Sequence, residues 1–170
     1  MEFCKGYNGD KIAFYDKGDK GNPVLFFIHG FSQSSLCWKY QFNSNLLSKF
    51  RLVSIDIRGH GASDKPQNPD SYNNHSPYAH DLNAVISDLE ISEIIPVCWS
   101  MGGNWICDYI REFGEEKLKA IILVGATTQQ GTPVTENFFG KGAIDNLNNL
   151  FSLDTQTNIQ ATIAFVNACR

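Results

Sequence analysis

Apolar residues along this chain fall in two alternating rhythms, short unbroken runs and helical spacings. Val24-Leu25-Phe26-Phe27-Ile28 is five apolar residues in a row, set between Pro23 and His29-Gly30. A run with no polar alternation predicts a strand buried on both faces, as in a parallel sheet. The segment 51–57 (Leu52, Val53, Ile55, Ile57), the segment 94–97, and the segment 120–124 (Ile121, Ile122, Leu123) read as three more such strands. Helical spacing lies between them. A helix is predicted over 35–48, with Trp38, Phe42, Leu46 and Leu47 on its apolar face. A second starts at Ser76-Pro77, where Ser can cap free N–H groups and Pro suits the first turn. It continues through Tyr78, Leu82, Val85, Ile86 and Leu89. A third carries Ile106, Tyr109, Ile110 and Phe113. Ahead of all these, 11–16 reads as an antiparallel strand near an edge. The alternation predicts an α/β fold: a mostly parallel sheet with helices on both faces.

Past Gly125 the rhythm stops. Polar residues, Gly and Asn dominate 127–149, and a last helix starts near Thr155 with Ile159, Ile163 and Val166. It runs to Arg170 without a Gly or Pro stop, the pattern of a chain cut inside a helix.

Composition narrows the function classes. The 170 residues are enough for one domain with a real core. A net charge of −4 speaks against a nucleic-acid partner, which would require a basic face. Cys4, Cys37, Cys98, Cys107 and Cys169 are scattered and odd in number, which suits free thiols in a reducing compartment. No leader is expected in the charged, Gly-containing first ten residues, and no apolar stretch approaches a membrane span. The cytoplasm is the expected location.

Three motifs carry the chemistry. Cys98-Trp99-Ser100-Met101-Gly102 sits between a buried strand and an amphipathic helix. That is the context of a nucleophile elbow, a turn so sharp that the positions two before and two after the Ser must be small. Cys98 stands where Gly is usual; it is small, and it is expected to face into the turn rather than act as a second nucleophile. His29-Gly30-Phe31 ends the first parallel strand. In such an architecture the backbone N–H groups of Phe31 and Met101 are the expected oxyanion donors. His29 is expected to hydrogen-bond structurally. Asp56-Ile57-Arg58-Gly59-His60-Gly61-Ala62-Ser63-Asp64 reads as a tight loop tied together by its charges, a support rather than a catalytic pair.

In this order and spacing the motifs resemble the α/β-hydrolase family from about Val24 to Ala126. The stretches 56–66 and 97–103 most resemble the branch of cofactor-free haloperoxidases, perhydrolases, arylesterases and enol-lactonases. So do Tyr109-Ile110-Arg111-Glu112-Phe113-Gly114, the strand ending in Gly125-Ala126, and the positions of Trp38 and Gln41. The resemblance implies an incomplete α/β-hydrolase core over 1–126 and the start of a helical lid over 127–170. It implies Ser100 as nucleophile, no cofactor or metal, and a small-molecule ester or lactone as substrate. Family members use Ser, Asp and His in that chain order. Here His29, His60, His75 and His80 all precede Ser100, and the strands that should carry the acid and the base are not expected in this chain. Asp145 and Asp154 fall in the lid segment and are not assigned as the acid. The isolated chain is therefore expected to be inactive, and 120–124 to become an exposed apolar edge that pairs with a complementing chain or another copy. The alternative is a non-catalytic binding module built on the half-fold. A nucleotide-binding protein is disfavoured, since no Gly-x-Gly-x-x-Gly follows the first parallel strand.

Overall fold

One apolar run, Val24–Ile28, and the Leu52, Val53 and Ile55 segment beside it set the centre of the sheet, because strands with apolar residues on both faces must be covered on both sides. A computed structural model describes residues 1–129, 146, 149–150 and 152–168. It divides into two compact units, Met1–Thr128 and Gln129–Arg170. In the first unit β1 (Glu2–Lys5), β2 (Lys11–Lys17), β3 (Val24–Ile28), β4 (Arg51–Ile55), β5 (Ile94–Trp99) and β6 (Ile122–Val124) form one sheet, ordered β1-β2-β4-β3-β5-β6. Every residue of β3 and β4 is buried. They pair in parallel, Leu25 opposite Leu52 and Ile28 opposite Ile55. β5 and β6 continue the parallel part, while β1 and β2 add antiparallel strands at one side.

Alternation along β3 sorts its side chains onto two cores. Val24, Phe26 and Ile28 pack with Leu82, Val85 and Ile86 of α1 (Ser76–Asp88) and with Trp105, Ile106 and Tyr109 of α2 (Gly102–Phe113). Leu25 and Phe27 pack on the other face with Trp38, Phe42, Leu46 and Leu47. Burying a side chain of this size stabilises by roughly 1.5–3 kcal/mol.

Two sequence expectations change, and one strand was not foreseen. The segment 35–48 is not one helix but three short 3₁₀ pieces, Ser35–Trp38, Gln41–Asn43 and Asn45–Ser48. Ser34 and Ser44 are extended, and each side chain accepts the N–H two residues on, from Leu36 at 3.4 Å and Leu46 at 3.3 Å. These local bonds compete with helix propagation. Ser76 does not cap α1. His75 occupies that position, and the Ser76 hydroxyl donates to Glu112 Oε1 at 2.5 Å. β1 had no apolar run to announce it, since only Cys4 of its four residues is buried. β6 is the exposed apolar edge expected of 120–124. Ile122, Leu123 and Val124 are 45%, 52% and 44% exposed, because β6 pairs with β5 alone among the described residues.

In the second unit one helix, α3 (Thr155–Ala168), is described. Asp154 caps it, its Oδ1 accepting the Thr157 N–H at 2.8 Å and the Thr157 hydroxyl at 2.6 Å. Asp145, most of the polar segment after Thr127, and residues 169–170 lie outside the described residues.

Candidate active site

Two loops meet beyond the carboxyl ends of β3 and β5. β5 ends at Trp99 and α2 begins at Gly102, so the chain reverses over Ser100 and Met101. Ser100 has φ +52°, in the left-handed region. A side chain there is strained, and such strain persists where the surroundings over-determine it. The Ser100 N–H donates to the Val124 carbonyl at 3.2 Å, and its own carbonyl accepts from Gly103 N–H at 3.2 Å and Thr127 N–H at 3.0 Å. Gly102 is required as well, since a Cβ there would stand 2.6 Å from the Ile28 carbonyl oxygen. Met101 has helical backbone angles and caps the start of α2.

The opposite loop is brought in by register. β3 and β5 pair with Ile28 opposite Cys98, so two residues further along Gly30 lies beside Ser100. A Cβ on Gly30 would be 2.9 Å from Ser100 Cβ and 3.4 Å from its Oγ. Only a glycine lets the loop carrying Phe31 come this close. Ser100, Met101 and the Gly30-Phe31 loop are thus gathered at one end of the sheet.

Cys98 is fully buried within the core beneath α2. Burial, with a smaller contribution from Cys107, pushes its thiol up to about 12. A thiol held protonated is a poor nucleophile.

Behind the Gly30 loop stands a bonded frame. Asp56, 2% exposed, accepts the Ser35 N–H at 2.7 Å, the Ser35 hydroxyl, and the Ala62 N–H at 2.8 Å. Arg58 places Nε 2.6 Å from Asp81 Oδ2 and a terminal nitrogen 2.7 Å from Asp81 Oδ1, a buried two-pronged pair, and reaches Asp10 at 3.1 Å. The His29 Nε2 accepts the Ile57 N–H at 3.1 Å, which leaves the proton on Nδ1 to donate to the Gly30 carbonyl at 2.7 Å. Burial first, then nearby His60, lowers the His29 pKa to about 4. His60 makes the matching pair of bonds, its Nε2 accepting from Ser32 N–H at 3.2 Å and its Nδ1 3.1 Å from the Arg58 carbonyl. Burial lowers its pKa too.

His75 pairs with Glu112 at 2.8 Å, and His80 packs its ring against Tyr7 and Phe113. Among the described residues no imidazole or carboxylate hydrogen-bonds the Ser100 hydroxyl, and no group of three or more His, Cys, Asp or Glu could hold a metal ion. No described helix is long and apolar enough to cross a membrane.

Sequence reasoning missed Ser32 and Trp105. Ser32 has φ +57°, yet nothing marks a serine as left-handed. Trp105 is 2% exposed and touches the rings of His29, His60 and Tyr78. It sits one position before the apolar stripe read on α2, at helical spacing from Tyr109 and Gly102, and a wider stripe would have found it.

Comparison with known proteins agrees with this architecture. The family model of the alpha/beta hydrolase fold matches residues 23–168. A non-heme chloroperoxidase of Kitasatospora aureofaciens is 32% identical over 126 residues, covering 74% of this chain and 44% of that protein. A bifunctional esterase/perhydrolase of Acinetobacter calcoaceticus is 30% identical over 151 residues, covering 88% of this chain and 54% of that protein. The crystal structure of an esterase from a Rhodococcus species superposes with a TM-score of 0.88 at 32% identity, over 98% of this chain and 60% of that one. The chain spans about half the length of the curated relatives it matches. A family-model match over most of the residues, and a sheet that superposes nearly end to end, place this chain in the alpha/beta hydrolase fold family.

Proposed function

We propose that this chain is the nucleophile-bearing part of a serine hydrolase acting on carboxylic esters or lactones, and that Ser100 is the nucleophile. The observation that carries the reading is the meeting of a left-handed Ser100 with a glycine pressed against its side chain. In the proposed reaction Ser100 Oγ attacks the substrate carbonyl carbon and its proton passes to a base. The backbone N–H groups of Phe31 and Met101 hold the resulting oxyanion. The intermediate then expels the alcohol, which takes the proton back, and water activated by the same base releases the acid and restores Ser100. No cofactor enters this scheme. The esterase and esterase/perhydrolase relatives support the substrate class. The free thiols of Cys4, Cys37, Cys98 and Cys107 support a reducing, cytoplasmic setting.

The base and its acid partner come, on this reading, from residues outside these 170. No histidine follows Ser100 in the sequence, and without a base a serine hydroxyl keeps an alcohol's weak nucleophilicity. Core 1–126 and partial lid 127–170 are the corresponding division of the chain. The test is a fluorophosphonate probe, which forms an O–P bond to Ser and releases fluoride. Labelling of Ser100 is expected when imidazole is supplied as an external base, or when the coding sequence beyond Arg170 or a separate chain supplies the missing strands. Ser100→Ala abolishes it. A folded chain that stays unlabelled under both conditions overturns the hydrolase reading.

A second reading has an observation of its own. β6 is a short apolar strand exposed over all three residues, which suits a half-fold that binds a complementing chain without catalysis. That complex would remain unlabelled by the probe.

A further inference from the structure

The loop that approaches Ser100 is a four-residue turn, Gly30 to Gln33, closed by the Gln33 N–H to the Gly30 carbonyl at 3.3 Å. Its third residue, Ser32, has φ +57°. That angle suits Gly or Asn in such a turn and costs a serine of order 1 kcal/mol or more. Something must hold it. Two imidazoles do, and they do so in the same way. His29 donates Nδ1–H to the first residue of the turn and accepts the Ile57 N–H on Nε2. His60 accepts the N–H of the turn's third residue on Nε2, so its proton sits on Nδ1 and faces the Arg58 carbonyl. Both rings are struts from the segment after β4 to the turn, one on each side of Phe31. The two rings lie 5.1 Å apart between centroids with their planes tilted by 56°, backed by Trp105 at 5.6 and 5.8 Å. The Phe31 ring meets His60 edge-on at 6.1 Å.

We propose that His60 is a positioning residue: its neutral Nε2 latches Ser32 so that the Phe31 N–H is held against Ser100, and protonation of His60 unlatches the turn. A protonated ring would point an N–H at the Ser32 N–H, replacing an attraction with a repulsion. The functional half of this inference rests on the hydrolase reading; the latch itself does not.

The groups around the ring set when it opens. His60 is enclosed by His29, by Trp105 of α2 and by Phe31. Burial and Lys65 oppose its charged form, while the Arg58 carbonyl and Asp56 favour it. The Arg58 guanidinium is occupied by Asp81 and Asp10. The balance lies on the side of the neutral ring, so the latch stays closed at neutral pH and opens only below the ordinary imidazole range.

Nitrogen-15 NMR of the full chain tests the latch without any activity. The protection factor of the Ser32 amide is followed from about pH 7.5 to about pH 4.5, alongside the His60 ring nitrogens. Ser32 protection is expected to fall about fivefold, the size of one net hydrogen bond, in step with His60 protonation. His60→Gln offers an acceptor oxygen that does not titrate, and its Ser32 protection is expected to stay flat across the range. Protection that ignores the His60 titration, or that falls equally in His60→Gln, overturns the latch. The second arm compares imidazole-supported fluorophosphonate labelling near pH 7.5 in wild type and His60→Ala. Slowing by about tenfold or more is expected if an oxyanion donor is displaced; equal rates overturn the positioning role. A wild-type chain that never labels counts against the hydrolase reading instead, and the Ser32 amide alone then decides the latch.

Discussion

Ser100 can keep its left-handed backbone because three main-chain bonds fix it and because Gly30 and Gly102 have no side chains to push it away. Gly30 is the one whose side chain would meet Ser100 itself. A methyl group there would stand 2.9 Å from Ser100 Cβ, tighter than real side chains tolerate, and the nearest atoms belong to an elbow with little freedom to move. Gly30→Ala is therefore expected to push the two loops apart. Displacement of reacting groups by about 1 Å can cost about a hundredfold in rate, so imidazole-supported labelling of Ser100 should slow by about tenfold to a hundredfold. Unchanged labelling kinetics would show that the loop and the elbow are not in the contact described. Cys98, two residues before Ser100, occupies the place of a usual glycine without competing for the chemistry. Its side chain is enclosed in the core and its thiol stays protonated.

The elements of this fold divide by how much of their cause is local. β3 is legible in the sequence because both its faces are apolar and no other element accommodates such a run at that length, and β4 because Leu52, Val53 and Ile55 put apolar residues on both faces around Ser54. α1 and α2 are legible from spacing alone. The segment 35–48 was not, because Leu46, Phe42 and Trp38 find the core whether or not the backbone between them is helical, and Ser34 and Ser44 decide that locally. The elbow was legible as a motif. The frame behind it was legible only as a loop rich in charge, since Asp56 and Ser35, or Arg58 and Asp81, meet only through the sheet. Arg58 and Asp81 have fully buried side chains joined at 2.6 Å. Removing Asp81 leaves the buried Arg58 guanidinium with only the longer, partly exposed contact to Asp10, and breaking a buried pair costs up to about 3–5 kcal/mol. Asp81→Ala should lower unfolding free energy in urea by that amount, and a change under about 1 kcal/mol would mean the pair is open to water. The exposed β6 supplies a separate prediction. Among the described residues one edge of β6 is unpaired, a template for pairing, so Leu123→Lys should shift the chain toward monomer in sedimentation. An unchanged distribution would place any self-association elsewhere.

At the scale of the whole molecule, the two neutral imidazoles couple the stability of the fold to pH. The His29 pKa falls from 6.5 to about 4, with burial the leading cause and His60 a lesser one; the Gly30 carbonyl and Asp56 pull the other way. In the unfolded chain this ring gains its proton as pH falls through about 6.5. The folded chain refuses it until about 4. Between those values the unfolded state binds more protons, so stability present above the upper value is lost as pH falls toward the lower. Each pKa unit of difference is worth about 1.4 kcal/mol, so His29 alone removes about 2 kcal/mol between about pH 6.5 and 5. His60 shifts in the same direction and adds to the loss. Urea unfolding should therefore show a steady decline across the window in wild type. His29→Gln, whose amide does not titrate, should flatten most of that slope even if its stability at neutral pH is lower. A wild-type profile that is level down to about pH 5 would mean that His29 accepts its proton in the folded state, and that the bond from Ile57 N–H does not hold the ring neutral.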